Sequence, residues 1–338
     1  MDTAALDYDL PLDAIAQTPV EPRDAARLLV DTGPGAAPEH RHVRDLPDLV
    51  RPGDVVVVNT TRVLPARLRL TKPTGGTVEV LLLEPVDADD RCWDALVRPS
   101  RKVLPGSELA LGEDAVVIVG DDLGEGRRRV ELRFPDGRDA LDVLERHGEV
   151  PLPPYITTAL EDAERYQTTY AERPASVAAP TAGLHLTPAL LEQVRAAGAL
   201  VVPVELVVGL GTFRPIAVDT VEDHVMHAER YRVPPATMLA CERASRVVAV
   251  GTTSVRALES AAATGELEGS TELFIHGDRP FALVGALMTN FHQPRSSLLA
   301  LVDAFVGPRW RALYDEALRA GYRFLSFGDA MFLQGERG

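Results

Sequence analysis

The sequence has few cysteines and no long run of apolar residues. Cys92 and Cys241 are its only cysteines in 338 residues, too few for a disulfide framework or a thiolate metal site. No window approaches the roughly 20 consecutive apolar residues of a membrane helix. The first residues, Met1 to Asp7, have neither the basic nor the apolar region of a signal peptide. We therefore expect a soluble, cytoplasmic protein that does not act at a membrane.

Several common catalytic motifs are also missing. The chain contains no Walker loop, no complete Gly-x-Gly-x-x-Gly motif and no Gly-x-Ser-x-Gly elbow, which removes support for ordinary NTPases, Rossmann dehydrogenases and serine hydrolases. His224 and His227 lack the His-Glu-x-x-His order of zinc hydrolases, and no third ligand follows at a regular interval. We expect no metal.

Positive charge is scarce. The 35 Lys and Arg residues face 50 Asp and Glu, giving a net charge of -15, and Lys72 and Lys102 are the only lysines. A chain this acidic is repelled at long range by nucleic acids and anionic membranes. Because salt screens charges over about 10 Å, RNA binding requires cations that are gathered locally.

The composition that remains, 46% hydrophobic and 25% charged, is that of a globular protein. From about residue 54 to 150 the apolar residues form short β-rich segments such as 55–58, 78–83 and 115–119, separated by turns containing glycine. This pattern predicts an antiparallel sheet or small barrel.

From about residue 175 predicted helices and strands alternate. Thr187 and Pro188 mark a helix start, Gly198 its end, and the apolar segment 200–208 a buried strand. The last predicted strand is 322–326. Such alternation favours a largely parallel sheet covered on both faces. We predict an α/β fold with a layered main domain (residues 1–65 and 155–338) and an inserted small β-barrel domain (residues 66–154).

Polar motifs follow four of these strands, where open α/β sheets bind ligands. They are Gly209 to Pro215, Gly251 to Arg256, Thr289 to Ser297 and Phe327 to Asp329. The glycines of the first motif fit a tight turn as well as a binding loop. The hydroxyls of the second motif fit helix caps, and its backbone N–H groups fit a site for a carboxylate or phosphate. The loop of Asn290 and His292 favours function, because loops on a rigid scaffold often carry it.

Taken together, these motifs resemble the S-adenosylmethionine:tRNA ribosyltransferase-isomerase family of queuosine biosynthesis. The resemblance spans nearly the whole chain. The matching segments are Asp9–Leu10–Pro11, Ile15 to Pro19, Arg23–Asp24, Thr61 to Arg67, Gly148 to Ile156, Arg165 to Thr168, Ala178 to His185, the strand-end motifs above and Gly328 to Met331.

The resemblance implies an enzyme that transfers and isomerises the ribosyl group of S-adenosylmethionine. The acceptor would be 7-aminomethyl-7-deazaguanine at the tRNA wobble position, and the product epoxyqueuosine, with adenine and methionine released. S-adenosylmethionine would be a substrate, and no separate cofactor is expected. The sulfonium acidifies the neighbouring ribose hydrogens, so a histidine is a suitable base.

The matching motifs imply three sets of site residues. The expected catalytic residues are His185, His227 and His292. The expected RNA-binding cations, at the barrel and its junction, are Arg62, Arg67, Arg98, Arg101 and Lys102. The expected substrate-binding residues are Thr181, Gly183, Gly211, Thr212, Phe213, Arg214, Gly251, Thr252, Thr253, Arg256, Asn290, Phe291, Arg295 and Asp329.

The sequence also departs from the family pattern near these motifs. Val207 stands where a histidine is expected, Gln293 and Arg295 replace leucine and lysine, and Gly285 replaces an aspartate. These changes leave two alternatives beside the tRNA-modifying enzyme: a transferase of the same family with a non-tRNA acceptor, and a non-catalytic RNA-binding module.

Overall fold

The protein is described here by a computed structural model that covers residues 1–72, 74–87, 89–135, 137–209 and 215–335. The chain divides into two compact units. One contains residues 1–62, 153–173 and 179–338, and the other contains residues 63–152 and 174–178. We call the first the α/β unit and the second the barrel unit.

The elements are numbered in chain order. The strands are β1 (Arg27–Val30), β2 (Glu39–His42), β3 (Asp54–Asn59), β4 (Thr61–Val63), β5 (Arg67–Thr71), β6 (Thr77–Pro85), β7 (Cys92–Arg98), β8 (Glu108–Leu111), β9 (Ala115–Gly124), β10 (Arg127–Arg133), β11 (Gly148–Glu149), β12 (Arg173–Ser176), β13 (Leu200–Leu206), β14 (Glu229–Arg232), β15 (Arg246–Val250), β16 (Glu268–Thr271), β17 (Val284–Asn290) and β18 (Ala330–Gln334). The helices are α1 (Ala140–His147), α2 (Pro188–Ala196), α3 (Pro235–Arg243), α4 (Thr252–Thr264), α5 (Ser297–Val306) and α6 (Trp310–Arg319).

The α/β unit is built on a mixed sheet. Its strand order in the described part of the chain is β16-β14-β13-β3-β15-β17-β18-β1-β2. Pairing is parallel across the central strands β13, β3, β15 and β17, and again between β18 and β1. The other pairs are antiparallel. The α/β class is therefore confirmed, whereas the largely parallel sheet is not.

The end of the chain accounts for part of this difference. Residues 322–326 do not form the predicted strand; they form a turn in which only Phe324 makes a β-bridge, to Ile15. The Asp329 carboxylate accepts a hydrogen bond from the Arg323 backbone N–H at 2.8 Å, which stabilises the turn. The last strand is β18, which runs antiparallel to β17.

The central strands are buried on both faces. Val55 to Val58 of β3 are all buried, and α2 packs Leu190, Leu191 and Val194 into a core that includes Val56 and Val58. The start of α2 is as predicted: Pro188 is its first residue and the Thr187 hydroxyl accepts a hydrogen bond from Leu190 N. The carboxyl ends of β15 and β17 therefore lie at one edge of a rigid layer.

The barrel unit contains a closed antiparallel barrel of strands in the order β5-β6-β7-β10-β9-β8, with β5 pairing back to β8. Alternate side chains along each strand, such as Leu68 and Leu70, are buried inside. The predicted small β-barrel is therefore confirmed. Separately, no helix in the described residues is long and apolar enough to cross a membrane.

Candidate active site

The carboxyl ends of β15 and β17 bring three predicted motifs together. Gly251 follows β15 and donates its N–H to the carbonyl of Met288 in β17 at 2.8 Å. Its φ of +85° is in the region that favours glycine, and a Cβ there would lie 3.6 Å from the Cβ of Ala182. The segment Thr181–His185 thus packs directly against the strand ends.

Asn290, the last residue of β17, connects these segments. Its side-chain oxygen accepts a hydrogen bond from the Thr181 hydroxyl at 2.9 Å. Its side-chain nitrogen lies 3.4 Å from His185 Nε2 and 3.4 Å from the carbonyl oxygen of Asp329. Four predicted residues from three motifs are therefore in one hydrogen-bonded group.

His292 lies two residues further along. Its Nε2 is 2.9 Å from the Thr289 hydroxyl. Its backbone N–H donates to the Tyr314 hydroxyl at 2.9 Å, and its carbonyl accepts from the Tyr8 hydroxyl at 2.6 Å. These bonds fix both the ring and the backbone, so His292 presents its imidazole in one orientation.

Both histidines are buried, and burial sets their charge. It lowers the pKa of His185 to about 4, although the nearby Asp329 carboxylate acts in the opposite direction. It lowers the pKa of His292 to about 3. Each imidazole is therefore neutral at pH 7 and can accept a proton but not donate one as a cation.

These two pKa values predict acid sensitivity. Between pH 6.5 and about 4, His185 and His292 are neutral in the fold but protonated in the unfolded chain. Unfolding then takes up two protons, so the pair makes the free energy of unfolding fall by about 2.7 kcal/mol per pH unit as the pH decreases in this window. Urea denaturation at pH 7, 6 and 5 measures this slope.

The His292→Gln variant isolates one of the two contributions, because other titrating groups are the same in both proteins. Between pH 6 and 5, the free energy of unfolding of this variant should change less steeply with pH than that of the wild type, by about 1.4 kcal/mol per pH unit. Equal slopes in the two proteins would show that His292 titrates normally in the fold.

Some predicted substrate-binding residues have structural partners. Asp329 is buried and accepts hydrogen bonds from the Arg27 backbone N–H at 2.9 Å and from its guanidinium at 3.2 Å. Phe291 is fully buried and stacks on Phe324 with ring centroids 4.6 Å apart. Gly183 lies under the Tyr170 hydroxyl, where a Cβ would collide. These three residues therefore make structural contacts within the site.

The start of α4 is less fully bonded. Thr252 and Thr253 are buried, and in the described part of the chain the Thr253 hydroxyl has no hydrogen-bond partner. Further along α4, buried Arg256 forms an ion pair with Glu229, whose other carboxylate oxygen accepts the N–H of Gly209 at 2.9 Å. Arg256 thus anchors the chain just before the predicted Gly-Thr-Phe-Arg motif. Gly211, Thr212, Phe213 and Arg214 of that motif lie outside the described residues.

Two other predicted residues are exposed. Arg295 has a φ of +54°, and its backbone N–H donates to Leu6 O at 2.9 Å. His227 lies two residues before β14 and is separated along the sheet from the group around Asn290. Of the three predicted catalytic histidines, the structure brings only His185 and His292 close to Asn290.

A small cleft with a volume of about 30 Å³ opens beside Asn290 and His292. Sequence reasoning missed two of its polar residues, Tyr155 and Ser326. Tyr155 belongs to the Gly148 to Ile156 motif, and Ser326 immediately precedes the Phe327 to Asp329 motif. Both residues could therefore have been found from motifs that the sequence already showed. The cleft is lined by Tyr155, Thr181, Asn290, Phe291, His292, Gln293, Ser296, Leu298, Leu325 and Ser326.

The predicted RNA-binding cations fall into two groups. Arg62 pairs with Glu164, and Arg67 lies 3.9 Å from Glu79. Arg98, Arg101 and Lys102 are exposed on the barrel unit, and none of them forms an ion pair with another residue in the described ranges. These last three form a small basic patch, which we call the barrel patch.

Comparison with known proteins identifies the family of the chain. The model of the family described as "Queuosine biosynthesis protein" matches residues 3–333. The chain therefore belongs to the queuosine biosynthesis protein family, as the motifs predicted.

Individual relatives carry a more specific name. The S-adenosylmethionine:tRNA ribosyltransferase-isomerase of Rubrobacter xylanophilus is 51% identical over 336 residues, covering 99% of this chain and 98% of the relative. That of Heliobacterium modesticaldum is 49% identical, covering 98% and 100%. The crystal structure of S-adenosylmethionine tRNA ribosyltransferase from Thermotoga maritima is 36% identical, covers 97% of this chain and 99% of that chain, and superposes with a TM-score of 0.55.

Proposed function

We propose that the protein is an S-adenosylmethionine:tRNA ribosyltransferase-isomerase. It transfers and isomerises the ribosyl group of S-adenosylmethionine onto 7-aminomethyl-7-deazaguanine at the tRNA wobble position and releases adenine and methionine. The observation that carries this proposal is similarity along the full length: the relative at 51% identity bears this name and is covered over 98% of its length.

The geometry of the site suits the first step. The positive sulfonium of S-adenosylmethionine makes the hydrogens on the adjacent ribose carbon acidic, and a base must remove one of them. His292 lines the cleft as a neutral imidazole, with its ring held by Thr289. An unprotonated, oriented imidazole can accept this proton, although its low pKa makes it a weaker base than a free histidine. His185 is the second candidate in the same group.

The leaving adenine and the carboxylate of the methionine part of S-adenosylmethionine need separate contacts with the protein. Adenine leaves with the electron pair of its bond to ribose and requires a hydrogen-bond donor or a proton. The carboxylate of the methionine part requires an anion site, for which the first backbone N–H groups of α4 and the Thr253 hydroxyl are available. Arg214, which precedes Pro215 and lies outside the described residues, is the other proposed carboxylate ligand.

The barrel patch is the proposed tRNA contact. A protein with a net charge of -15 can approach a polyanion only where cations are concentrated and not already paired. The exposure of Arg98, Arg101 and Lys102 supports this assignment.

The acceptor can be tested by following adenine release from S-adenosylmethionine. We expect release with tRNA that carries 7-aminomethyl-7-deazaguanine, and none with the same tRNA carrying guanine at the wobble position. Release that requires no tRNA, or that proceeds with a free small base, would indicate a non-tRNA acceptor. A folded protein that releases no adenine under any of these conditions would be a non-catalytic module.

A further inference from the structure

One wall of the cleft carries two hydroxyl groups that the steps above do not use. The oxygens of Tyr155 and Ser326 lie 2.6 Å apart and line the cleft together. Either oxygen can donate in this bond, and we assign the donor role to Tyr155 because a phenol is a better hydrogen-bond donor than an aliphatic alcohol. The proton of Ser326 is then available to a second acceptor, which is either the buried hydroxyl of Tyr166 or a molecule in the cleft.

We propose that Ser326, oriented by Tyr155, donates a hydrogen bond to a ring nitrogen of adenine, which makes this cleft the adenine subsite for S-adenosylmethionine. The inference rests on the proposed function, because it takes the donor from it. Ser326 is the binding residue in this account, and Tyr155 is a positioning residue that acts through it.

The N-terminal segment brings the two hydroxyls together. Gln17 donates its side-chain N–H to the carbonyl of Tyr155 at 2.9 Å, and its side-chain oxygen accepts the N–H of Thr157 at 2.9 Å. One residue earlier, Ala16 donates its N–H to the carbonyl of Phe324 at 3.1 Å. The same short segment therefore holds the backbone of Tyr155 and the turn that carries Ser326.

The turn itself is held in a costly conformation. Leu325 is buried and has a φ of +67°, which is rare for a residue with a branched side chain. Gly328 has no room for a Cβ, which would collide with the carbonyl of Arg323 and with Phe324. Strained backbone of this kind persists where the surrounding structure enforces it and is concentrated at functional sites. Here its consequence is to turn Ser326 toward Tyr155.

Charge and hydrogen bonding favour adenine over the other parts of the substrates. Among the described residues, the cleft lining contains no Lys, Arg, Asp or Glu, so this part of the lining does not suit a phosphate, a carboxylate or an ammonium group. Thr181 and Asn290 already bond each other, and His292 bonds Thr289. Adenine is neutral and offers ring nitrogens as acceptors. Burial raises the pKa of Tyr155 to about 12, so the phenol stays protonated at neutral pH.

Calorimetric titration with S-adenosylhomocysteine tests the subsite without catalysis, since this probe has the same adenine but no sulfonium. We expect Ser326→Ala and Tyr155→Phe each to weaken its binding about tenfold, the effect of losing one hydrogen bond. Tyr231→Phe is the matched control: its hydroxyl lies 3.1 Å from the Thr264 hydroxyl, away from the cleft. This control should change the dissociation constant less than twofold.

Deaza analogues of the probe show whether the base is contacted. One of the 1-, 3- or 7-deaza analogues should bind the wild type about tenfold more weakly than S-adenosylhomocysteine does. The same analogue and S-adenosylhomocysteine should bind the Ser326→Ala and Tyr155→Phe variants with equal affinity. Loss of structure alone would weaken all analogues alike. The inference is overturned if no analogue shows this pattern, if both variants bind like wild type, or if wild type does not bind the probe. Adenine release by wild type in the same preparation would show that the proposed function stands even then.

Discussion

The His292→Ala variant should release adenine from S-adenosylmethionine about 100- to 10,000-fold more slowly than the wild type, the usual cost of losing a general base. His292 lines the cleft, is neutral at pH 7 and is held by Thr289. The loss should appear in kcat with little change in KM, because proton abstraction is needed only in the transition state. Steady-state adenine release with precursor tRNA measures both constants.

Two controls accompany this variant. His292→Gln keeps a group able to bond Thr289, so it separates loss of the base from loss of local packing. His42→Ala removes an exposed imidazole on the edge strand β2, three strands away from β17, and should retain wild-type kcat. Thermal melting establishes that each variant is folded. Near-normal turnover in folded His292→Ala and His292→Gln would remove His292 from the chemistry and leave His185 as the remaining buried candidate.

Replacing Arg98, Arg101 and Lys102 by alanine should weaken tRNA binding strongly and make it less sensitive to salt. Each phosphate contact releases condensed counterions, so the slope of log affinity against log salt should fall by roughly one for each lost contact, or about three for the triple variant. Such a change corresponds to a loss of affinity of tenfold or more at low salt. Titration with tRNA across a salt series, beside wild type, measures both quantities.

The charge-matched control is a triple variant of Arg44, Arg195 and Arg319, which are exposed on the α/β unit. It removes the same number of positive charges, so it should reproduce any effect of net charge on tRNA binding but not the loss of specific phosphate contacts. Equal slopes for wild type and the barrel-patch variant would move the RNA surface elsewhere on the protein.

Local sequence signals predicted much of the fold. Thr187, Pro188 and Gly198 bounded α2 because caps and helix ends depend on neighbouring residues. The alternation of apolar residues located barrel strands such as β6 and β9 for the same reason. The direction of β18 was not predictable in this way. It depends on a turn at 322–329 held by Asp329 and Ala16, which are close in space but distant along the chain from one another.

The candidate site was likewise predictable from the sequence only where local motifs indicate it. Motifs at strand ends located Asn290, His292 and the Thr181 segment, because parallel strands deliver their carboxyl ends to one edge. The sequence did not indicate that the Asp329 carboxylate accepts hydrogen bonds from Arg27, or that the Tyr155 hydroxyl bonds the Ser326 hydroxyl. Both facts depend on contacts between segments more than 150 residues apart, which no local pattern encodes.

The central claim is that the ribose of S-adenosylmethionine becomes part of the wobble nucleoside of tRNA. The most direct measurement uses S-adenosylmethionine labelled with ¹³C in the ribose, incubated with the protein and precursor tRNA, followed by nucleoside mass spectrometry. The account predicts a labelled nucleoside with the mass of epoxyqueuosine, formed together with one adenine and one methionine for each nucleoside. Unlabelled tRNA recovered from a reaction with folded protein and intact precursor would contradict it.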